Sequence, residues 1–371
     1  MLSRGVTFVH GGFARVGGVE TLAANLLLAL RARNLQTELV CWSGSGENEN
    51  PALMGLARSG VRVSRFGLRL GCRWGWPDTA MVLQGWRRLA DSEVLVFGKM
   101  LHRRAHRLML PLRRRMILIT PYRPSEMWAE RQPENEILNS FESIIVQANA
   151  FEDDLRRFGY IGKTFTLPHP PPSVQGTSSW PTGSRLQVGF LGRLVPDKNL
   201  KYLIVSFSRL RAMGIDAELQ VYGDGPEREA IQLLSNEIGL APFVHFHGNQ
   251  DRSAISASID SCHVFAFSSR TEGQCLSALE ILARGRRVVG TPVGAFPEFL
   301  DGLLGSIAPL ADPGAFAAAL KAVAFPILEG KIMPAEVQQA YEVRFPRQRV
   351  IEDYLRILGC SDWNGQRNQH R

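Results

Sequence analysis

Short apolar runs and longer segments of helical period alternate along this chain. Val6 to His10 is the first run, and it ends at Gly11-Gly12. Glu20 to Arg33 follows, with Leu22, Leu26 and Ala29 on one face, the spacing of an amphipathic helix. Leu39 to Trp42, Val94 to Phe97, Met116 to Thr120 and Ser143 to Gln147 are further β-rich runs. They are apolar throughout rather than alternating, which predicts parallel strands covered on both faces. Near 168–184 the periodicity stops, and PHPPPSVQGTSSWPTGS reads as a linker. The rhythm then restarts. Strands are predicted at 187–191, 218–222, 244–247, 264–267 and 287–290, and helices at 200–213, 227–238 and 276–283. The expected fold is α/β, with domains at 1–172 and 185–344 and a linker at 173–184. Ligands of open α/β sheets bind beyond the carboxyl ends of the strands, so two domains with facing strand ends would enclose a cleft.

Composition agrees with this picture and narrows it. The 371 residues are 45% hydrophobic and 21% charged, ordinary for a globular chain of roughly two domains. No apolar run approaches the roughly 20 residues of a spanning helix, and no secretory pattern opens the chain. The five cysteines are scattered and form no CxxC pair, which argues against a disulfide scaffold or zinc site and fits a reducing, cytoplasmic setting. The net charge of +8 is unevenly placed: residues 1–170 hold 23 basic and 15 acidic side chains, the remainder 20 of each. Lys99, Arg103, Arg104, Arg107, Arg113, Arg114 and Arg115 form a run without acids, interleaved with leucines. Read as a partly amphipathic helix, this run suits an anionic membrane surface, here the inner face of the plasma membrane, or a lipid-phosphate acceptor. A solvated helix face is the plainer alternative. Nucleic acid is not expected, since no zinc finger or RNA-binding motif accompanies the charge. Glu152-Asp153-Asp154 reads as a solvated helix start, and no metal-ligand cluster is apparent.

Three groups of residues converge on an anionic, polyhydroxylated ligand. Gly11-Gly12 through Gly17-Gly18 forms a glycine-rich turn between a strand and a helix N-terminus, where backbone N–H groups can face a phosphate. It is not a GxGxxG fingerprint, and a plain strand–helix turn would look the same. Arg193 and Lys198 lie in the loop after a predicted strand and suit a diphosphate leaving group, although two solvated loop charges would read alike. In the third group, Glu272 can accept hydrogen bonds from hydroxyls, Gly273 to Leu276 can offer amides, and Glu280 can hold a ribose diol.

In order, GGVE (17–20), GRLVPDKN (192–199), YGDGPE (222–227), EGQCLSALE (272–280) and GTPVGAFPEF (290–299) resemble the family-4 glycosyltransferases of the GT-B fold. The resemblance covers most of the chain and is strongest from 186 to 311. It implies two Rossmann-like domains, the donor held mainly by the second, and retaining transfer of a hexosyl group from a UDP- or GDP-linked sugar to a saccharide or lipid-linked glycan, without a metal or other cofactor. Arg193 and Lys198 would bind the donor diphosphate, Glu272 would contact the sugar near the reacting carbon, and Glu280 would bind the ribose. Gly17, Gly18, Gly223, Gly273, Gln274, Cys275 and Leu276 would line the donor. The family's last helix, here 345–358, would complete the first domain. Two positions depart from the pattern. Pro121-Tyr122-Arg123-Pro124 stands where many members carry a His, and His169-Pro170-Pro171-Pro172 replaces an Asn-Gly. Tyr122 and Arg123 are thus acceptor-side candidates, or they simply structure the turn. An epimerase-like enzyme of the same fold and a non-catalytic nucleotide- or carbohydrate-binding protein are the rival readings.

Overall fold

A computed structural model describes residues 5–10, 18–42, 51–66, 76–120, 122–129, 132–171, 179–183 and 185–360. The chain forms two compact units, 1–170 with 348–371, and 171–347. In the first unit the described strands are β1 (Gly5–His10), β2 (Gln36–Trp42), β3 (Arg62–Phe66), β4 (Val94–Phe97), β5 (Arg115–Ile119), β6 (Ser143–Val146) and β7 (Lys163–Thr166). Their order is β3-β2-β1-β4-β5-β6-β7, with every pairing parallel. The second unit holds β8 (Leu186–Leu191), β9 (Ala217–Tyr222), β10 (Val244–Gly248), β11 (Val264–Phe267), β12 (Arg287–Gly290) and β13 (Gly305–Ile307). These lie in the order β10-β9-β8-β11-β12-β13, again all parallel. Both sheets reverse direction of growth beside their first strand, the doubly wound arrangement.

The inner strands match the apolar runs: β4, β6, β11 and β12 are buried at every position. Two edge strands differ from expectation. Arg62–Phe66 and Lys163–Thr166 are mostly half-buried, so their mixed composition conceals them from a search for apolar runs. The helix Gly18–Arg31 carries Glu20 in its first turn and Arg31 in its last, both favourable to its dipole. Leu22, Leu26 and Ala29 are buried in the first unit's core.

The last described helix, Arg347–Ile357, joins that core. Val350, Ile351, Tyr354 and Leu355 pack in one cluster with Val6, Phe8, Leu39 and Ile117. The segment before it is a separate helix, Pro334–Arg344, and Pro346 stands at the break. Part of the linker is fastened down. Trp180 Nε1 donates to Ile332 O at 2.8 Å, and the buried Arg286 guanidinium lies 4.8 Å over the Trp180 ring. Residues 172–178 of the linker lie outside the described residues.

The basic run is not one helix. It divides into a helix at Arg103–Met109, a 3-10 turn at Leu110–Leu112, Arg113 in a left-handed conformation, and β5 from Arg115. Pro111 ends the regular helix by removing a backbone donor. Acids from later in the chain then meet the cations. Arg107 Nη2 lies 2.7 Å from Glu134 Oε2 and 3.8 Å from Glu136 Oε2, and Arg103 Nη1 lies 3.4 Å from Glu134 Oε1. Arg114 donates to Ala90 O. Arg115 donates from Nε and Nη2 to both Glu142 oxygens, at 2.8 and 2.9 Å, and to the carbonyls of Ile357 and Leu358 that end the last helix. Among the described residues, the Arg104 and Arg113 guanidiniums have no ion-pair partner.

Candidate functional site

The site begins where the second sheet reverses, between β8 and β11. The loop after β8 runs from Gly192 to Asn199 and ends in a 3-10 turn, Pro196–Lys198, with Asn199 left-handed at φ 51 before the helix Leu200–Ala212. The loop after β11 is stitched to it. Ser268 Oγ donates to the carbonyls of Lys198 and Asn199 at 3.0 and 3.1 Å, and Arg270 N donates to Asp197 O at 2.8 Å. Lys198 is thereby aimed at Glu272: Nζ donates to Oε1 at 2.6 Å, and Ser269 Oγ donates to the same oxygen at 2.7 Å. Glu272 is 3% exposed, and the Lys198 side chain retains 20%. A buried carboxylate is tolerated only when paired and hydrogen-bonded, and both conditions are met.

The chain after Glu272 is set by backbone geometry. Gly273 O accepts from Ala295 N at 2.8 Å. Gly294, at φ +60, passes so close that a Cβ would stand 2.3 Å from Gly273 O. Cys275 is left-handed at φ 59 and caps the helix Leu276–Ala283. Burial, and secondarily the Glu272 charge, pushes the Cys275 thiol well above its usual range, so it stays protonated and is no nucleophile. Gln274 is buried, and Glu280 lies half-buried on the helix.

A third loop closes on the first. Gly223 follows β9 at φ 134, and its N donates to Gly248 O at 2.8 Å. A Cβ on Gly223 would lie 1.8 Å from Gly192 O, and one on Gly225 would lie 2.3 Å from Leu194 O. Arg193, between these contacts, is exposed and makes no ion pair among the described residues. Lys198, Glu272, Gly273, Gln274, Cys275, Leu276 and Glu280 thus share one end of one sheet, with Gly223 and Arg193 on its neighbouring loops. The sequence did not point to Ser269, although its place just past an apolar strand marks it as a loop residue at the same end. Gly17 lies outside the described residues. Gly18 opens the helix Gly18–Arg31, and His10 Nε2 lies 3.2 Å from Glu20 Oε1 across that turn.

In the first unit Arg123, after β5, helps structure its turn, one of the two readings the sequence left open. Asp154 is not a solvated helix acid, because its side chain is 1% exposed. Arg123 Nε lies 2.8 Å from Asp154 Oδ2, Ser125 donates to the same oxygen from both N and Oγ, and Arg157 Nη1 lies 3.3 Å from Oδ1. Arg123 is therefore engaged in holding its own loop, while Tyr122 is 40% exposed. Burial alone would raise the Asp154 pKa, but hydrogen bonds from Arg123 and Ser125 outweigh it and hold the carboxyl below its ordinary value. With the folded pKa below the unfolded value of about 3.9, this stabilisation is complete above that pH and fades as pH falls through the folded value. Asp154→Asn should thus flatten the acid limb of a stability curve taken from urea midpoints below about pH 4. Parallel curves for variant and wild type would contradict the assignment.

Two doubly wound parallel units, with the Lys198–Glu272 site at the carboxyl end of the second sheet, define the GT-B architecture. Residues 185–324 match the family described as Glycosyl transferases group 1, which bears out the family-4 resemblance over that stretch. One similar protein is the GDP-mannose-dependent alpha-(1-6)-phosphatidylinositol monomannoside mannosyltransferase of Mycolicibacterium smegmatis, 32% identical over 38% of this chain and 39% of its own length. Another is the lipopolysaccharide core biosynthesis glycosyltransferase LpsE of Rhizobium meliloti, 28% identical over 45% of this chain and 48% of its own. The chain thus spans 39% and 48% of the length of these two relatives. Among solved structures, Anabaena HepE with UDP and glucose superposes at TM-score 0.74, with 13% identity, over 96% of this chain and 99% of that one. Sucrose-phosphate synthase from Thermosynechococcus elongatus superposes at 0.75, with 16% identity, over 96% and 98%. These likenesses establish the fold.

Proposed function

We propose that the protein is a retaining, metal-independent hexosyltransferase that takes a sugar from a UDP- or GDP-linked donor. The observation that carries this is the Lys198–Glu272–Ser269 arrangement at the reversal of the second sheet. Departure of the diphosphate develops negative charge at the leaving oxygen. Arg193, Lys198 and the N-terminus of the Leu276–Ala283 helix offset that charge by preorganised electrostatics. Glu272 accepts hydrogen bonds from the transferred sugar, and Glu280 holds the ribose. The acceptor oxygen attacks the face that the phosphate leaves, and the phosphate takes the acceptor's proton. The relatives' names support a saccharide or lipid-linked acceptor in glycolipid or surface-polysaccharide synthesis. The family match does not favour the epimerase and non-catalytic readings.

A thermal-shift panel of UDP- and GDP-sugars tests the donor, since a ligand at about 100 times its Kd stabilises by about 2.7 kcal/mol. Product anomeric configuration by NMR tests retention. No shift with any nucleotide sugar would overturn the proposal.

A membrane-surface role on the cytoplasmic side belongs to the same proposal in a revised form. Arg103, Arg107, Arg114 and Arg115 are engaged within the first unit, which leaves Lys99, Arg104 and Arg113 as the cations of the run for an anionic headgroup. No described helix is long and apolar enough to cross a membrane. Charge reversal at Arg104 and Arg113 should weaken sedimentation with anionic liposomes, with nucleotide-sugar binding unchanged. Unaltered sedimentation would leave these two as solvated charges.

A further inference from the structure

In the second unit the helix Pro334–Arg344 lies against the helix Leu276–Ala283. Gly285 makes the close approach, because at φ +75 a Cβ there would stand 2.3 Å from Pro334 O. At about 1.5 Å of rise per residue, Glu280 lies about 7 Å before this contact on one helix, and Tyr341 about 10 Å after it on the other. The two residues therefore stand at nearly the same height on facing helices. Tyr341 is 3% exposed, and its hydroxyl has no hydrogen-bond partner among the described residues. Burial pushes this phenol above its usual range, and the Glu280 charge pushes it further. Arg347 acts in the opposite sense, and Glu342 adds to the rise. An orphaned buried hydroxyl is costly and calls for an explanation.

We propose that Tyr341 is a positioning residue of the nucleotide site: its hydroxyl, unpartnered in the empty protein, donates to the Glu280 carboxylate when a nucleotide binds and fixes that carboxylate on the hydroxyls of the ribose. This rests on the donor-site reading of Glu280. It adds a residue from outside the motif that carries that reading.

The test is calorimetric binding of UDP, GDP and their 2′-deoxy counterparts to the full chain and to Tyr341→Phe and Glu280→Gln. Wild type should prefer one ribonucleotide over its deoxy form by on the order of tenfold. Tyr341→Phe should reduce that ratio to below about threefold, leave deoxynucleotide affinity unchanged, and leave the thermal midpoint of the empty protein unchanged or raised, since an orphaned hydroxyl has been removed. A lower midpoint with equal weakening of both nucleotides would make Tyr341 merely structural and overturn the proposal. So would an unchanged ratio in Tyr341→Phe alongside a lost one in Glu280→Gln. If wild type does not discriminate, the reading of Glu280 itself fails, and the proposal fails with it.

Discussion

Arg193→Ala is expected to cut glycosyl transfer by about 100- to 1,000-fold with no loss of stability, and Lys198→Ala to cut it equally but at a cost in stability. The shared loss follows from the role of both cations. Removing one preorganised partner of a developing anion costs about 2.7–4 kcal/mol of transition-state stabilisation. The difference follows from what each side chain touches. Arg193 is exposed and unpaired among the described residues, so its removal disturbs no folded-state contact. Lys198 lies 2.6 Å from the buried Glu272 carboxylate, and its removal leaves that charge to the Ser269 hydroxyl and the Cys275 thiol. Breaking a fully buried pair costs about 3–5 kcal/mol, and the partial exposure of Lys198 reduces this to about 2 kcal/mol. Adding Glu272→Gln to Lys198→Ala should restore most of the stability and none of the turnover. Steady-state kinetics and urea denaturation on the four proteins of this cycle measure both effects. Turnover intact in Arg193→Ala would sink the electrostatic account of the leaving group.

Gly223→Ala should be the most damaging single methyl addition in the second unit's loops. At φ 134 the backbone occupies a region that L side chains rarely adopt, and the new Cβ would stand 1.8 Å from Gly192 O. That neighbour is backbone, held by Gly192 N donating to Tyr222 O at 3.0 Å, so it cannot swing aside. Strain and clash together should exceed about 4 kcal/mol, the range reserved for a few severe mechanisms. In a unit of this size that lowers the thermal midpoint by about 8–16 °C. Gly214→Ala provides the control. It also has a positive φ, +79, but meets nothing within 4 Å, so it should cost only about 1 kcal/mol. Equal effects from the two substitutions would show that the Gly192–Gly223 contact contributes nothing.

The site was legible in the sequence because each motif directly follows a strand, and a parallel sheet delivers every such loop to the same end. Five consecutive parallel pairings in the second unit bring 192–199, 223–225 and 268–275 together without long-range information. What the sequence concealed depends on distant partners. The acids that engage Arg107 and Arg115 come from 27 residues downstream, so a local charge count saw only an unopposed run. Asp154 looked like one of three solvated acids because its partner, Arg123, is 31 residues away. The edge strands β3 and β7 were hidden for a different reason: with one side open, they have no need to be apolar throughout. The short fifth strand of the basic region was legible only from Met116 onward, since Arg115 opens it with a charge.

The packing of Val350, Ile351, Tyr354 and Leu355 against Val6 and Phe8 has a consequence for synthesis. The ribosome makes the first unit's strands early but delivers their covering helix only after all of 171–347 has emerged. The second unit is continuous and can close as soon as it is free of the exit tunnel. The unit begun first is therefore finished last, and during translation its sheet waits with the patch that Val350, Ile351, Tyr354 and Leu355 will cover still open to chaperones.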